Sequence, residues 1–153
     1  AFILAAVLKD GVYLKSGRTS QRARLLLIPA GDVREACSRD GAFARAVLDE
    51  LAGCYRELVK QQKDLKLRTA VERLANSLLA FDGEQNGGGP IELPCGKRTL
   101  ASLLGMTPEN LSRAFATLKP YGVEVDGARI RLTDRASLER LARPTPLIDD
   151  VTL

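Results

Sequence analysis

The order of apolar and polar residues divides the chain into a strand-like beginning, a long helical middle and a closing series of short helices and strands. Phe2–Leu8 and Leu25–Ile28 are apolar runs, separated by a polar stretch that holds Gly11, Gly17 and Ser20. Short apolar runs bounded by Gly and polar residues predict strands. Pro29-Ala30-Gly31-Asp32 predicts a turn, with Asp32 placed to cap a short helix. Two strands are too few for an independently stable sheet. Residues 1–40 are therefore expected to be the last edge of a larger β domain, and the chain to be a fragment of a longer protein.

From Ala42 to Lys66 the period becomes helical. Val47, Leu51, Cys54, Leu58, Gln61 and Leu65 recur at alternating spacings of four and three, the pattern of a coiled-coil seam. Arg45, Asp49, Glu50, Arg56, Glu57, Lys60 and Lys63 lie between them, mixed in sign and suited to solvent or to interhelical pairing. Two arrangements fit: one helix packed on its own domain, or a parallel two-chain coiled coil. A length of about 25 residues, twice the usual globular helix, favours the second. Residues 41–66 are thus expected to be a dimerisation helix, with Gly53 and Gln61 as its weak points.

Thr69-Ala70-Val71-Glu72 is a capping box. Val71, Leu74, Leu78 and Phe81 mark the apolar face of the helix it opens, widened by Ala75 and Leu79. That helix is expected to end before Gly83, and Glu84-Gln85-Asn86-Gly87-Gly88-Gly89-Pro90 to be a flexible loop. Residues 67–89 form the connecting segment.

Residues 90–143 carry the pattern with chemical consequence. Ile91–Leu93 predicts a short strand and Lys97–Leu104 a helix, followed by Gly105. Thr107 is a good N-cap, Pro108 suits the first helical position, and Glu109 complements the helix dipole. Leu111, Ala114, Phe115 and Leu118 give the next helix its apolar face, and Pro120 stops it. Two short helices joined by a few residues containing Gly predict a helix-turn-helix. Val123–Val125 and Ile130–Leu132 flank Asp126-Gly127, a hairpin signal that predicts a wing. Thr133-Asp134 starts a closing helix with Leu138 and Leu141 inside. Residues 144–153 are tail. The fold class expected is α+β.

Charge sharpens this picture. The chain has a net charge of +4, and residues 95–143 hold nine basic against five acidic residues, while the tail carries only Asp149 and Asp150. A basic excess over a helix-turn-helix points to nucleic acid. On the second helix Glu109, Asn110, Ser112 and Arg113 are expected to face outward. Such a helix enters the major groove near its N-terminus. There Arg113 matches guanine O6 and N7, Glu109 accepts from a cytosine amino group, and Ser112 reaches a base or a phosphate. Lys97, Arg98, Thr107 and Arg129 are expected phosphate contacts, which fix register without reading sequence. The competing account of Glu109 and Arg113 is a surface pair four residues apart.

Composition excludes other chemistry. Hydrophobic residues make up 45% of the chain, ordinary for a globular protein. No apolar run approaches the ~20 residues of a membrane span, and no signal-peptide pattern opens the chain, so a cytoplasmic protein is expected. Three scattered cysteines, Cys37, Cys54 and Cys95, fit no metal pattern. The absence of His removes the commonest general base and metal ligand, so an enzyme is the weakest of three function classes. The others are a sequence-specific DNA-binding regulator and a protein-interaction module built on the long helix.

Leu93-Pro94, Lys97, Leu100-Ala101, Leu104-Gly105, Thr107-Pro108-Glu109 and Leu111-Ser112-Arg113 resemble the DNA-binding domain of the Crp/Fnr superfamily of bacterial transcription regulators. Arg24–Pro29 resembles the last strand of that family's cyclic-nucleotide-binding-like β-roll sensor domain, and the helix from Ala42 its dimerisation helix. Glu109-x-x-Ser112-Arg113 matches the Fnr-type reading set. The resemblance implies a homodimer on an inverted repeat with TTGAT-like half-sites, with RNA polymerase as a further partner. The Phe-Gly-Glu motif of cyclic-nucleotide binders is missing, since Ile3 and Leu4 follow Phe2 and Arg18 lacks an acidic companion. The Cys cluster of the oxygen sensors is missing too. What remains is similar to the nitric-oxide-responsive regulators of denitrification. That likeness implies haem or another small effector in the sensor domain, and no cofactor held by this chain.

Overall fold

The computed structural model describes residues 4–14, 16, 17, 19, 22–85, 87–127 and 129–150. The chain divides into two compact units, Ala1–Leu58 and Val59–Leu153.

In the first unit the strand expectation fails for the described residues. Leu4–Lys9 is a helix, α1, and Leu25–Ile28 takes no regular structure. An apolar run this short satisfies a helix as well as a strand. Here Leu4, Val7 and Leu8 share one helical face, Val7 is buried, and the intervening alanines favour helix. Among the described residues no strand pairs with Leu25–Ile28, which are 60–88% exposed. Phe2, Ile3, Arg18 and Ser20 lie outside the described residues. The second helix, α2 (Ala30–Arg39), starts earlier than the sequence suggests: Pro29 occupies the N-cap and Asp32 sits in the first turn. Arg34 ties α2 to α1, donating from Nη1 to the Val7 carbonyl at 2.8 Å and to Asp10 Oδ1 at 3.0 Å. The long helix α3 (Gly41–Leu67) is the helix expected. Asp40 opens it, its carboxylate accepting from the Ala42 and Phe43 amides at 2.9 and 3.0 Å.

The second unit is built on α4 (Ala70–Glu84), which runs through Gly83 to Glu84 rather than ending before Gly83. The capping box forms as read: Glu72 N–H donates to Thr69 Oγ1 at 3.3 Å, and Thr69 N–H donates to Glu72 Oε2 at 2.8 Å. Those bonds from Thr69 hold the Glu72 carboxyl below its ordinary value. Leu74, Ala75 and Leu78 are wholly buried, packed under α6 (Pro108–Leu118) and α7 (Arg135–Ala142). Asn76, buried on the same helix, donates to the Ala142 carbonyl at 2.7 Å and joins α4 to the end of α7. Arg135 of α7 pairs with the buried carboxylate of Asp82.

Strands β1 (Ile91–Glu92), β2 (Val123–Asp126) and β3 (Arg129–Leu132) make an antiparallel sheet of order β1-β3-β2. Ile91 pairs with Ile130, and Val123 with Leu132, so the apolar set faces the core. The hairpin turn lies one residue later than the Asp126-Gly127 signal implies, because Asp126 pairs with Arg129. Pro120 does not end the chain's helical path abruptly. It sits in a 3₁₀ turn, Lys119–Tyr121, that leads into Gly122.

Two glycines bracket β2 and differ in what surrounds them. Gly127 has φ +60° and open space around it. Gly122 has φ +80°, and a Cβ there would meet the Asp134 backbone nitrogen at 2.4 Å and its Cβ at 2.7 Å. Gly127→Ala is expected to lose about 1–2 kcal/mol through backbone strain alone. Gly122→Ala adds a clash against backbone and is expected to lose clearly more. Urea denaturation of the two variants checks this, and equal losses would refute the placement of Gly122 against the N-cap of α7.

Candidate nucleic-acid interface

The helix-turn-helix is α5 (Lys97–Leu103) followed by α6. Leu104 ends α5, and Gly105 turns the chain at φ +61°. A Cβ on Gly105 would lie 2.5 Å from Leu65 Cδ2, a side-chain end that can move aside, so the positive φ is what favours glycine there. Thr107 then caps α6, its Oγ1 accepting from the Asn110 amide at 3.2 Å, with Pro108 in the first turn. The cap fixes where α6 begins, and its apolar face fixes its rotation. Leu111, Ala114, Phe115 and Leu118 are buried, so Glu109, Asn110, Ser112 and Arg113 are exposed on the other side.

Each expected contact residue can now be placed. Glu109, Ser112 and Arg113 form one exposed patch on the N-terminal half of α6. The Glu109 carboxyl is held below the ordinary glutamate value, first by its own backbone N–H, then by the Thr107 hydroxyl and the Arg113 charge. Thr107 therefore has a local role as cap whatever else it touches. Lys97 and Arg98 are exposed on the first turn of α5, with Lys97 Nζ 5.8 Å from the centre of the Phe115 ring. Arg129 is exposed on the wing and lies 3.5 Å from Glu92 Oε1. It has a competitor for any phosphate.

Two residues escaped the sequence reading. Arg131 shares the exposed face of β3 with Arg129, while Ile130 is fully buried between them. Alternation along a strand is the signal that would have found it. Arg73 donates from Nε to the Leu104 carbonyl at 2.9 Å, anchoring the end of α5 to α4. Its separation from Leu104 in sequence leaves no local signal.

Along α3 the expected seam residues have different surroundings. Val47 is buried, Leu51 and Cys54 are half-buried, and Leu58, Gln61 and Leu65 are exposed. Leu48 and Tyr55, a heptad apart, are exposed at 61% and 68%.

The sequence has no His, and the described residues hold no cluster of three His, Cys, Asp or Glu side chains placed for a metal. Among the described residues no buried side-chain nitrogen or oxygen lacks a hydrogen-bond partner. No helix of the described residues is long and apolar enough to cross a membrane.

Comparison with known proteins agrees with this geometry. Residues 72–141 match the family profile described as the Crp-like helix-turn-helix domain. No curated protein matches the chain. Among solved structures, FixK2 from Bradyrhizobium japonicum is 29% identical, with a TM-score of 0.61, over 77% of this chain and 61% of that one. A candidate cAMP-binding regulatory protein from Silicibacter pomeroyi DSS-3 is 34% identical, with a TM-score of 0.54, over 76% of this chain and 51% of that one. A candidate cyclic nucleotide-binding protein from Ruegeria pomeroyi DSS-3 is also 34% identical, with a TM-score of 0.56, over 77% of this chain and 52% of that one. The chain thus spans between about half and three fifths of the length of the structures it matches. A Crp-like helix-turn-helix over residues 72–141, and a structural likeness that covers about three quarters of the chain, support a Crp/Fnr superfamily transcriptional regulator.

Proposed function

We propose that this chain is the DNA-binding part of a sequence-specific transcription regulator that works as a homodimer. The observation that carries the proposal is the capped helix α6, which buries its apolar face and exposes Glu109, Ser112 and Arg113 within the Crp-like match. These three residue types supply a cytosine acceptor, a small hydroxyl and a bidentate guanine donor. Lys97, Arg98 and Arg129, with Thr107 beside them, serve the backbone.

A dimer follows from the shape of the target. A two-fold site with half-sites about one helical turn apart needs a two-fold protein. Val47, Leu51, Cys54, Leu58, Gln61 and Leu65 mark the proposed seam. Leu51, Leu58 and Leu65 recur every seven residues, and the exposed Leu58 is the strongest candidate to meet a second copy. An inverted repeat with TTGAT-like half-sites is the proposed operator. Control by a small effector in a sensor domain, contact with RNA polymerase and a cytoplasmic location complete the proposal.

Arg113→Ala is expected to weaken binding to an inverted-repeat duplex by about 1–3 kcal/mol and to relax preference at one base pair per half-site. Lys97→Ala is expected to weaken binding alike on all sequences and to lower the salt slope by about 1. Fluorescence anisotropy across a salt series distinguishes the two effects. An Arg113→Ala variant that binds and discriminates as the parent does would refute the assignment of α6.

The lowered pKa of Glu109 sets a pH expectation. The ionised form accepts hydrogen bonds, and it persists until the pH falls through that lowered value. Binding that depends on Glu109 is present at neutral pH and is lost only in acid. Affinity is therefore expected to stay flat between about pH 6 and 8 at constant salt. A tenfold change across that window would show that another titrating group governs binding.

A further inference from the structure

The acidic tail is engaged. Pro146–Asp149 form a short helix, α8, and Asp149 Oδ2 accepts from the Thr145 amide at 2.6 Å. The same carboxylate meets the guanidinium of Arg68 with two parallel bonds, Nη1 to Oδ1 at 2.7 Å and Nη2 to Oδ2 at 2.5 Å. Arg68 lies at the elbow between the end of α3 and Thr69, the cap of α4. Only 7% of its side chain is exposed. Asp64, one turn back on α3, takes a further bond from Nη1 at 2.9 Å. Beside this pair, Lys60 Nζ donates to the Asp150 carbonyl at 2.6 Å.

The elbow is in turn wired to the helix-turn-helix. Arg73 Nη1 donates to the Arg68 carbonyl at 2.7 Å, while its Nε holds the Leu104 carbonyl. Leu65, just before the elbow on α3, abuts Gly105. The tail, the elbow and the turn ahead of the reading helix are therefore joined by consecutive hydrogen bonds.

We infer that the carboxy-terminal tail is a clasp: Asp149 pins Arg68, which fixes the α3–α4 elbow and, through Arg73 as positioning residue, the turn that aims α6. A bidentate pair is directional, and the arginine side of this one is largely covered. Removing Asp149 leaves a buried cation with only Asp64, an arrangement that favours movement of the arginine towards water. The clasp itself rests on geometry alone. Its consequence for DNA rests on the proposed reading of α6.

Hydrogen–deuterium exchange on the full chain tests the clasp without DNA. In Asp149→Asn, amides of residues 64–70 and 104–107 are expected to exchange at least tenfold faster, with α7 and the centre of α4 unchanged. Asp149→Glu, which keeps the charge, is expected to restore most of the protection. Asp126→Asn, on the wing, is expected to leave both segments as they are. Unchanged exchange at the elbow, or a uniform rise across the unit, would overturn the clasp. Asp149→Asn is also expected to lower duplex affinity about tenfold at an unaltered salt slope, since no phosphate contact is lost. If exchange rises and affinity holds, the link from elbow to reading helix is overturned. If the parent binds no duplex, the proposed function falls while exchange still decides the clasp.

Discussion

The burial of one face of α4 governs the rest of the carboxy-terminal unit. Leu74, Ala75 and Leu78 are withdrawn completely from water, and that is possible only with α6 and α7 laid against them. Fully burying one leucine side chain contributes roughly 1.5–3 kcal/mol, so the three-helix contact is worth far more than any single cap. Once α6 has given Leu111, Ala114, Phe115 and Leu118 to this contact, its rotation is no longer free. Glu109, Ser112 and Arg113 face out because the core has claimed the other side. The candidate site is thus a by-product of packing, with chemistry added only at exposed positions.

Smaller interactions then set position along the helix axes. Thr107 decides where α6 starts, and Gly105 permits the turn before it. Arg73 holds the last carbonyl of α5, so the turn is fixed from behind as well. The Asp82–Arg135 and Asn76–Ala142 contacts do for α7 what Arg73 does for α5. Each satisfies a group that burial would otherwise leave unpaired, where the penalty is about 1–3 kcal/mol.

Much of this was legible in the sequence, and the reasons differ by element. The capping box at Thr69, the Thr107-Pro108 start and the hairpin are local signals, carried by residues three or four apart, and they appear nearly where expected. Helix α3 was equally legible, because its period runs for many turns without proline. The opening segment was not. A five-residue apolar run such as Leu4–Leu8 has no intrinsic period that separates strand from helix, and what surrounds it decides. Arg68, Arg73 and Asp149 were illegible for a different reason. Their main partners are distant in sequence, and a charged residue near a helix end reads as ordinary surface until the fold pairs it. The exposed patch of Glu109, Ser112 and Arg113 was legible because it inherits its orientation from the apolar pattern, while Arg131 was missed by not following the alternation one step further.

The central claim is that α6 presents a base-reading face to duplex DNA. It is tested most directly by titrating the chain with a duplex carrying a TTGAT-type inverted repeat and with a scrambled duplex of equal length, at two salt concentrations. The account predicts that both duplexes lose affinity steeply with added salt, while the inverted repeat stays at least about a thousandfold tighter, the range usual for specific binding. Equal affinity for the two duplexes at every salt concentration would contradict it.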